Sequence, residues 1–162
     1  MHRRELEGSE KVLGAEHPDT LTSVSNLGSV LERQGKYEEA EATHRRALGG
    51  YEKVLGAEHP NALTSMGNLA MTLNGQKRWN EAMNIEERVL SLKKRVFGDE
   101  HPETLTTMNN LAYTLRSQGE NREALSLMRT CYRLRELKLG PLHPYTTSSL
   151  SSVRKWEADS NE

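Results

Sequence analysis

Residues 56–75 read GAEHPNALTSMGNLAMTLNG, and the pattern in this stretch decides the fold. Leu63, Met66, Leu69, Ala70 and Leu73 fall at spacings of three and four, which lines one face of an α-helix with apolar side chains. Pro60 suits the first helical position, where a missing N–H costs nothing, and the Asn74-Gly75 pair supplies a stop. Outward from this helix the His59-Pro60 pair recurs as His17-Pro18, His101-Pro102 and His143-Pro144, always 42 residues apart. Counting identities, residues 14–55 and 56–97 agree at 17 of 42 positions, and 56–97 and 98–139 at 16 of 42. Self-similarity at this period marks a repeat array, in which one unit buries its apolar face only against its neighbours.

Each repeat carries the punctuation of two antiparallel helices. Helix A opens at Pro18, Pro60, Pro102 and Pro144 and stops near Gln34-Gly35, Asn74-Gly75 and Gln118-Gly119. Helix B runs from about Tyr37, Trp79 or Asn121 to Leu55, Phe97 or Leu139, and Gly56, Gly98 or Gly140 follows. Lys77, in place of the usual glycine, predicts that the second A helix ends early, and Asn121 replaces the usual aromatic. Gly49-Gly50 lies inside the first complete B helix, where each glycine costs about 1 kcal/mol relative to alanine, and the pair reads as a hinge.

The Leu27-Gly28, Leu69-Ala70 and Leu111-Ala112 pairs, with Ala40, Ala82 and Ala124 on the B helices, let paired helices approach closely. Together with the His-Pro-x-Thr-Leu-x-x-x-Asn-Leu-Ala pattern, they make the chain resemble the tetratricopeptide repeat family. Its 42-residue form is similar to the repeats of kinesin light chains and of the arrays that end many fungal and bacterial nucleotide-binding signalling proteins. That resemblance implies an all-α, right-handed superhelical solenoid, with a concave face lined by A helices that receives a peptide. The domain organisation expected is half of an orphan B helix over 1–13, three repeats over 14–139, a capping A-type helix over 140–158 and a disordered tail over 159–162. Arg154 stands in the register of Gly28, Ala70 and Ala112, which forbids the same tight packing on a following helix.

The 162 residues suffice for one domain with a core, and the 35% hydrophobic fraction suits a thin stack with much surface. The formal charge of −1, from 22 basic and 23 acidic residues, gives no global field to attract nucleic acid or an anionic membrane. A single cysteine, Cys131, excludes an internal disulfide, and the charged start lacks the apolar stretch of a secretory signal. A cytoplasmic protein is expected, with no cofactor.

Six histidines raise the question of a metal. The four repeat histidines sit in successive loops about 10 Å apart, too far for ligands that must approach to about 2 Å, so they read as loop residues bonding backbone. Glu41-Ala42-Thr43-His44 has Glu-x-x-His spacing, but a carboxylate-bridged site needs the motif twice, and a solvated helix face is expected. Lys93-Lys94-Arg95 and Arg45-Arg46 read as solvated outer face as well. Cys131 falls on the buried stripe of helix B as a small hydrophobe, with no adjacent base. No phosphate-cradling glycine loop exists, and the chain reads as non-catalytic.

One ladder is polar where packing does not require it: Asn26, Asn68 and Asn110, with Ser152 next. An amide offers donor and acceptor together and can hold the backbone of an extended peptide, though it can equally bond a neighbouring repeat. In the resembled family the matching asparagines line the concave face and hold peptide. Ser29, Arg33, Met71, Tyr113, Arg116 and Lys155 share that face. Met71 and Tyr113 offer apolar footholds, and Arg33, Arg116 and Lys155 suit acidic side chains, so the expected partner is a mildly acidic peptide or protein. Gly67 leaves room for a ligand backbone. The alternative is self-association, including a homodimer, or an intramolecular regulatory array, assembling through end helices that expose Val12, Leu13, Leu150 and Val153.

Overall fold

The computed structural model describes residues 2–159, with side chains from Leu6 onward. These residues form eight helices and no strand: α1 His2–Leu13, α2 Pro18–Arg33, α3 Tyr37–Leu55, α4 Pro60–Gly75, α5 Trp79–Phe97, α6 Pro102–Gln118, α7 Asn121–Leu139 and α8 Pro144–Asp159. The fold is all-α, as the threefold and fourfold apolar spacing requires. Two compact units divide it, Met1–Ile85 and Glu86–Glu162, with the boundary inside α5. Asp159 is helical; the rest of the segment read as a tail, 160–162, lies outside the described residues.

Each A helix begins at its proline, and the histidine before that proline caps it. His17, His59 and His101 sit in extended backbone and accept, through Nδ1, the backbone N–H of Asp19, Asn61 and Glu103. His143 does the same for Tyr145 at 3.2 Å. One of the four N–H groups that a helix start leaves unpaired is thus satisfied at every repeat. Gly14, Gly56, Gly98 and Gly140, with φ between +90° and +93°, turn the chain from each B helix into the next A helix.

Helix α4 does not end early. It stops at Gly75, the register of Arg33 where α2 stops, and α6 continues one residue further to Gln118. The reason is that Lys77 adopts φ +62°, the left-handed conformation that Gly35 and Gly119 take at the equivalent turns. The same pair of closing hydrogen bonds forms, from Lys77 N–H to the Asn74 carbonyl and from Arg78 N–H to the Leu73 carbonyl, both 2.9 Å.

In the first unit Leu21 and Val24 of α2 pack with Ala47 and Tyr51 of α3 and with Leu6 and Ala62. Leu69, Leu73 and Ala82 form a second cluster, against Leu48 and Ile85. Helix α3 runs unbroken through Gly49-Gly50. Gly50 is there because α2 comes close: a Cβ would stand 2.4 Å from Leu21 Cδ2, whereas one on Gly49 would meet nothing. In the second unit α6 packs on α7 and α7 on α8. Leu105, Met108, Leu111, Ala112, Leu115, Ala124, Met128 and Cys131 are buried there.

Candidate binding face of the A helices

Helical periodicity places one A-helix face of the first unit over α2 and α4. Between them lies a pocket of about 180 Å3, lined by Ser25, Asn26 and Ser29 of α2, Asn61, Ser65 and Asn68 of α4, and Tyr51 of α3, with the Thr22 and Thr64 hydroxyls at its side. Its polar inner wall follows from sequence, since the apolar stripes of both helices point toward the core. Asn68 Nδ2 donates to Ser25 Oγ at 3.4 Å, so this amide partly bonds a neighbouring helix. Thr22 Oγ1 and the Tyr51 hydroxyl share a 2.8 Å hydrogen bond. Ser29 Oγ donates to the Ser25 carbonyl and Arg33 Nε to the Ser29 carbonyl, at 3.3 and 3.4 Å. Asn26, Arg33 and Met71 are exposed, Met71 at 47%.

In the second unit Asn110 is half-exposed on α6, and α8 engages two of its neighbours. Tyr113 remains 45% exposed, but its hydroxyl shares a 2.6 Å hydrogen bond with Ser152 Oγ and its ring meets Trp156 edge-on at 5.2 Å. Arg116 donates to Asp159 at 2.6 Å and lies 5.7 Å over the Trp156 ring. Lys155 is exposed. Arg116 is therefore already neutralised within the fold, whereas among the described residues no carboxylate pairs with Arg33 or Lys155.

Three expectations about charged and apolar side chains are corrected. His44 is not on a solvated face; it is fully buried, both ring nitrogens lack a hydrogen-bond partner, and Nε2 lies 3.9 Å from Glu32 Oε2. It fits because Gly28 faces it, and burial holds its pKa below the ordinary histidine value. Glu32 is shifted the opposite way: burial raises its carboxyl, against a hydrogen bond from Thr72. Lys93 is also not solvated: at 5% exposure it donates to Glu103 Oε2 at 2.9 Å and to the Glu103 carbonyl at 3.4 Å. Val153 is buried at 6% and Leu150 half-buried, so the apolar end expected on α8 is mostly covered, while Val12 is 81% exposed.

Arg45 and Arg46 do lie on a solvated face. Arg45 pairs with Glu41, Arg46 with Glu10, and Lys53 with Glu16. Burial works against the Glu41 charge, but hydrogen bonds from Arg45 and Gln76 and the Arg78 charge outweigh it and hold its carboxyl below the ordinary range. Cys131 donates to the Leu105 carbonyl at 3.4 Å, and burial pushes its thiol up, away from the thiolate a nucleophile needs. Among the described residues no three of His, Cys, Asp or Glu converge as a metal site would require.

Arg135 escaped the sequence reading. It is buried in α7, and its Nη1 donates to Asn109 Oδ1, the Tyr145 carbonyl and Ser149 Oγ at 3.1, 3.3 and 2.7 Å. The signal was present as Tyr51, Lys93 and Arg135 in one register, two cations on a stripe that should be apolar.

Comparison with known proteins places this architecture. Family models described as tetratricopeptide repeat match residues 1–53 and 23–95, and another of the same description matches 104–145. Two crystal structures of nearly identical TPR-like repeats of kinesin light chain type from Podosopora anserina, one carrying a single substitution, are 25% identical to the chain. They cover 99% of it and 76% and 77% of their own chains, with TM-scores of 0.85 and 0.83. The crystal structure of BtubC (BKLC) from P. vanneervenii is similar in fold at 17% identity and TM-score 0.76, covering 99% of this chain and 72% of its own. No curated protein matches. Paired helices recurring every 42 residues, matched over more than half the chain, make it a member of the tetratricopeptide repeat family.

Proposed function

We propose that this chain is a non-catalytic adaptor or scaffold that holds an extended peptide on its A-helix faces. Tetratricopeptide repeats are in general protein-interaction modules, and their fold is typically a non-catalytic scaffold. The observation that carries the finer reading is the polar pocket between α2 and α4, where Asn26, Asn68 and neighbouring hydroxyls offer donors and acceptors beside the exposed Met71. Such a surface bonds peptide backbone without regard to its side chains. In the second unit Asn110, Tyr113, Arg116 and Lys155 supply the corresponding positions. A preference for acidic residues then rests on Arg33 and Lys155, because Asp159 already takes the Arg116 charge.

The test is affinity capture from native extract, with the wild-type chain beside an Asn26→Ala, Asn68→Ala, Asn110→Ala variant of confirmed helicity. Partners lost from the variant support the reading. An unchanged set of partners rejects it. Assembly through exposed end residues such as Val12 and Leu13 is the competing account, and a monomeric mass across a wide concentration range rejects that one.

A further inference from the structure

The repeat provides its own comparison for the pocket between α2 and α4. Arg135 in α7 uses three acceptors: Asn109 Oδ1, the Tyr145 carbonyl and Ser149 Oγ. Counting back 84 residues, two periods, these are the registers of Ser25, Asn61 and Ser65, and all three line the pocket. Counting back 84 from Arg135 itself gives Tyr51. Lys93, one period back, also donates to a carbonyl in the Asn61 register, that of Glu103. Both later B helices thus send a cation to this place, and α3 sends a phenol that turns aside, toward Thr22 Oγ1 at 2.8 Å and the Pro18 carbonyl at 3.5 Å.

The consequences are visible in the side chains. Ser65, the counterpart of the serine that Arg135 binds, is 1% exposed and its Oγ has no hydrogen-bond partner. A buried hydroxyl left so is costly and is normally paired. Ser25 Oγ already receives the Asn68 amide and keeps acceptor capacity, as does the Asn61 carbonyl with its second lone pair. A planar guanidinium carries five donors and no acceptor, and it is hydrated more weakly than an ammonium. Arg135 shows that the repeat buries that group on one amide oxygen, one carbonyl and one hydroxyl, beside the Tyr145 ring at 5.4 Å. Tyr51 offers a ring at the pocket.

We infer that the α2–α4 pocket is a guanidinium subsite, which receives an arginine side chain of the bound peptide on Ser25, Asn61 and Ser65. This rests on the peptide-binding reading and adds the identity of one anchoring residue.

The test uses the full chain and Nα-acetyl-L-arginine amide as probe, with the citrulline counterpart as its uncharged analogue, followed by amide chemical shifts. Saturable shifts at Ser25, Asn61 and Ser65 are expected with the arginine compound, with roughly tenfold weaker binding of the citrulline compound, since charge-assisted hydrogen bonds are about twice as strong as neutral ones. Tyr51→Arg, which supplies an internal guanidinium as α7 does, should abolish the shifts. Ser65→Ala, which stays close to the native shape, should weaken binding roughly tenfold and keeps the test open if Tyr51→Arg does not fold. Absence of saturable shifts, equal binding of the citrulline compound, or indifference to Ser65→Ala overturns the inference. The two readings separate: a partner lost from the triple asparagine variant but kept by folded Tyr51→Arg removes the subsite alone. Arginine bound at the pocket while the triple variant keeps every partner supports the subsite and removes the peptide reading.

Discussion

Gly28 and His44 occupy one space: a Cβ built on Gly28 would stand 2.6 Å from His44 Cε1, against the ring of a fully buried histidine. At the equivalent registers of the second unit stand Ala112 and Met128, both fully buried. In the first pair a rigid imidazole stands where a Cβ on Gly28 would be, whereas in the second a flexible methionine leaves room for the Ala112 methyl. Gly28→Ala should therefore cost about 1–3 kcal/mol through overpacking. Combined with His44→Met the loss should shrink by about 1 kcal/mol or more, because methionine adapts where an imidazole cannot. Urea unfolding of the four proteins of this cycle measures the coupling, and additive losses would refute it.

The same histidine makes stability depend on pH. Its folded pKa lies below the ordinary 6.5, so as pH falls below that value the unfolded chain takes up a proton that the buried ring refuses. Stability from His44 is complete above the unfolded value and is lost as pH falls toward the depressed folded value, at no more than about 1.4 kcal/mol per pH unit. Glu32 acts with opposite sign: its raised carboxyl contributes fully below the ordinary 4.5 and loses that contribution as pH rises through the folded value. His44→Met should flatten the decline between neutral and mildly acid pH, read as denaturation midpoints in a pH series. An identical slope in wild type and variant would contradict it.

Adjacent glycines in α3 should respond in opposite directions to alanine. Gly49→Ala meets nothing and restores helix propensity, so it should stabilise by about 0.5–1 kcal/mol. Gly50→Ala drives a methyl into Leu21 and should destabilise by about 1–3 kcal/mol. Thermal melts of the two variants decide the matter. A gain from both would mean that α2 yields freely at Leu21, and slower amide exchange in Gly49→Ala would show that propensity limits this helix.

Lys77 holds a left-handed backbone that costs a side-chain-bearing residue about 1–2 kcal/mol. Lys77→Gly should raise stability by about 0.5–1 kcal/mol after the glycine's larger unfolded-state entropy is subtracted. Lys77→Val should lower it, since a branched side chain tolerates that conformation least. Chemical denaturation of both variants tests the pair, and a less stable Lys77→Gly would assign the lysine side chain a role that its backbone does not explain.

The sequence by itself determined the repeat, the helix pairs and the family, because those depend on short-range information. Apolar residues at three and four, proline at a helix start and glycine after its end act through local backbone geometry, and each signal is written several times. Asn26, Asn68 and Asn110 were legible in the same way, as one polar letter repeated at a single register of three A helices. Only the tertiary structure decided what happens between helices. Gly28 was read as a small residue for close packing, but that His44 fills its space follows from where α3 lies against α2. Lys93, Arg135 and Val153 were misread or missed because burial depends on the neighbour a side chain meets, and the partners of the first two, Glu103 and Ser149, stand on the next helix and leave no local trace. Arg116 changed meaning for the same reason: a cation on a binding face became half of an ion pair once α8 brought Asp159 within 2.6 Å.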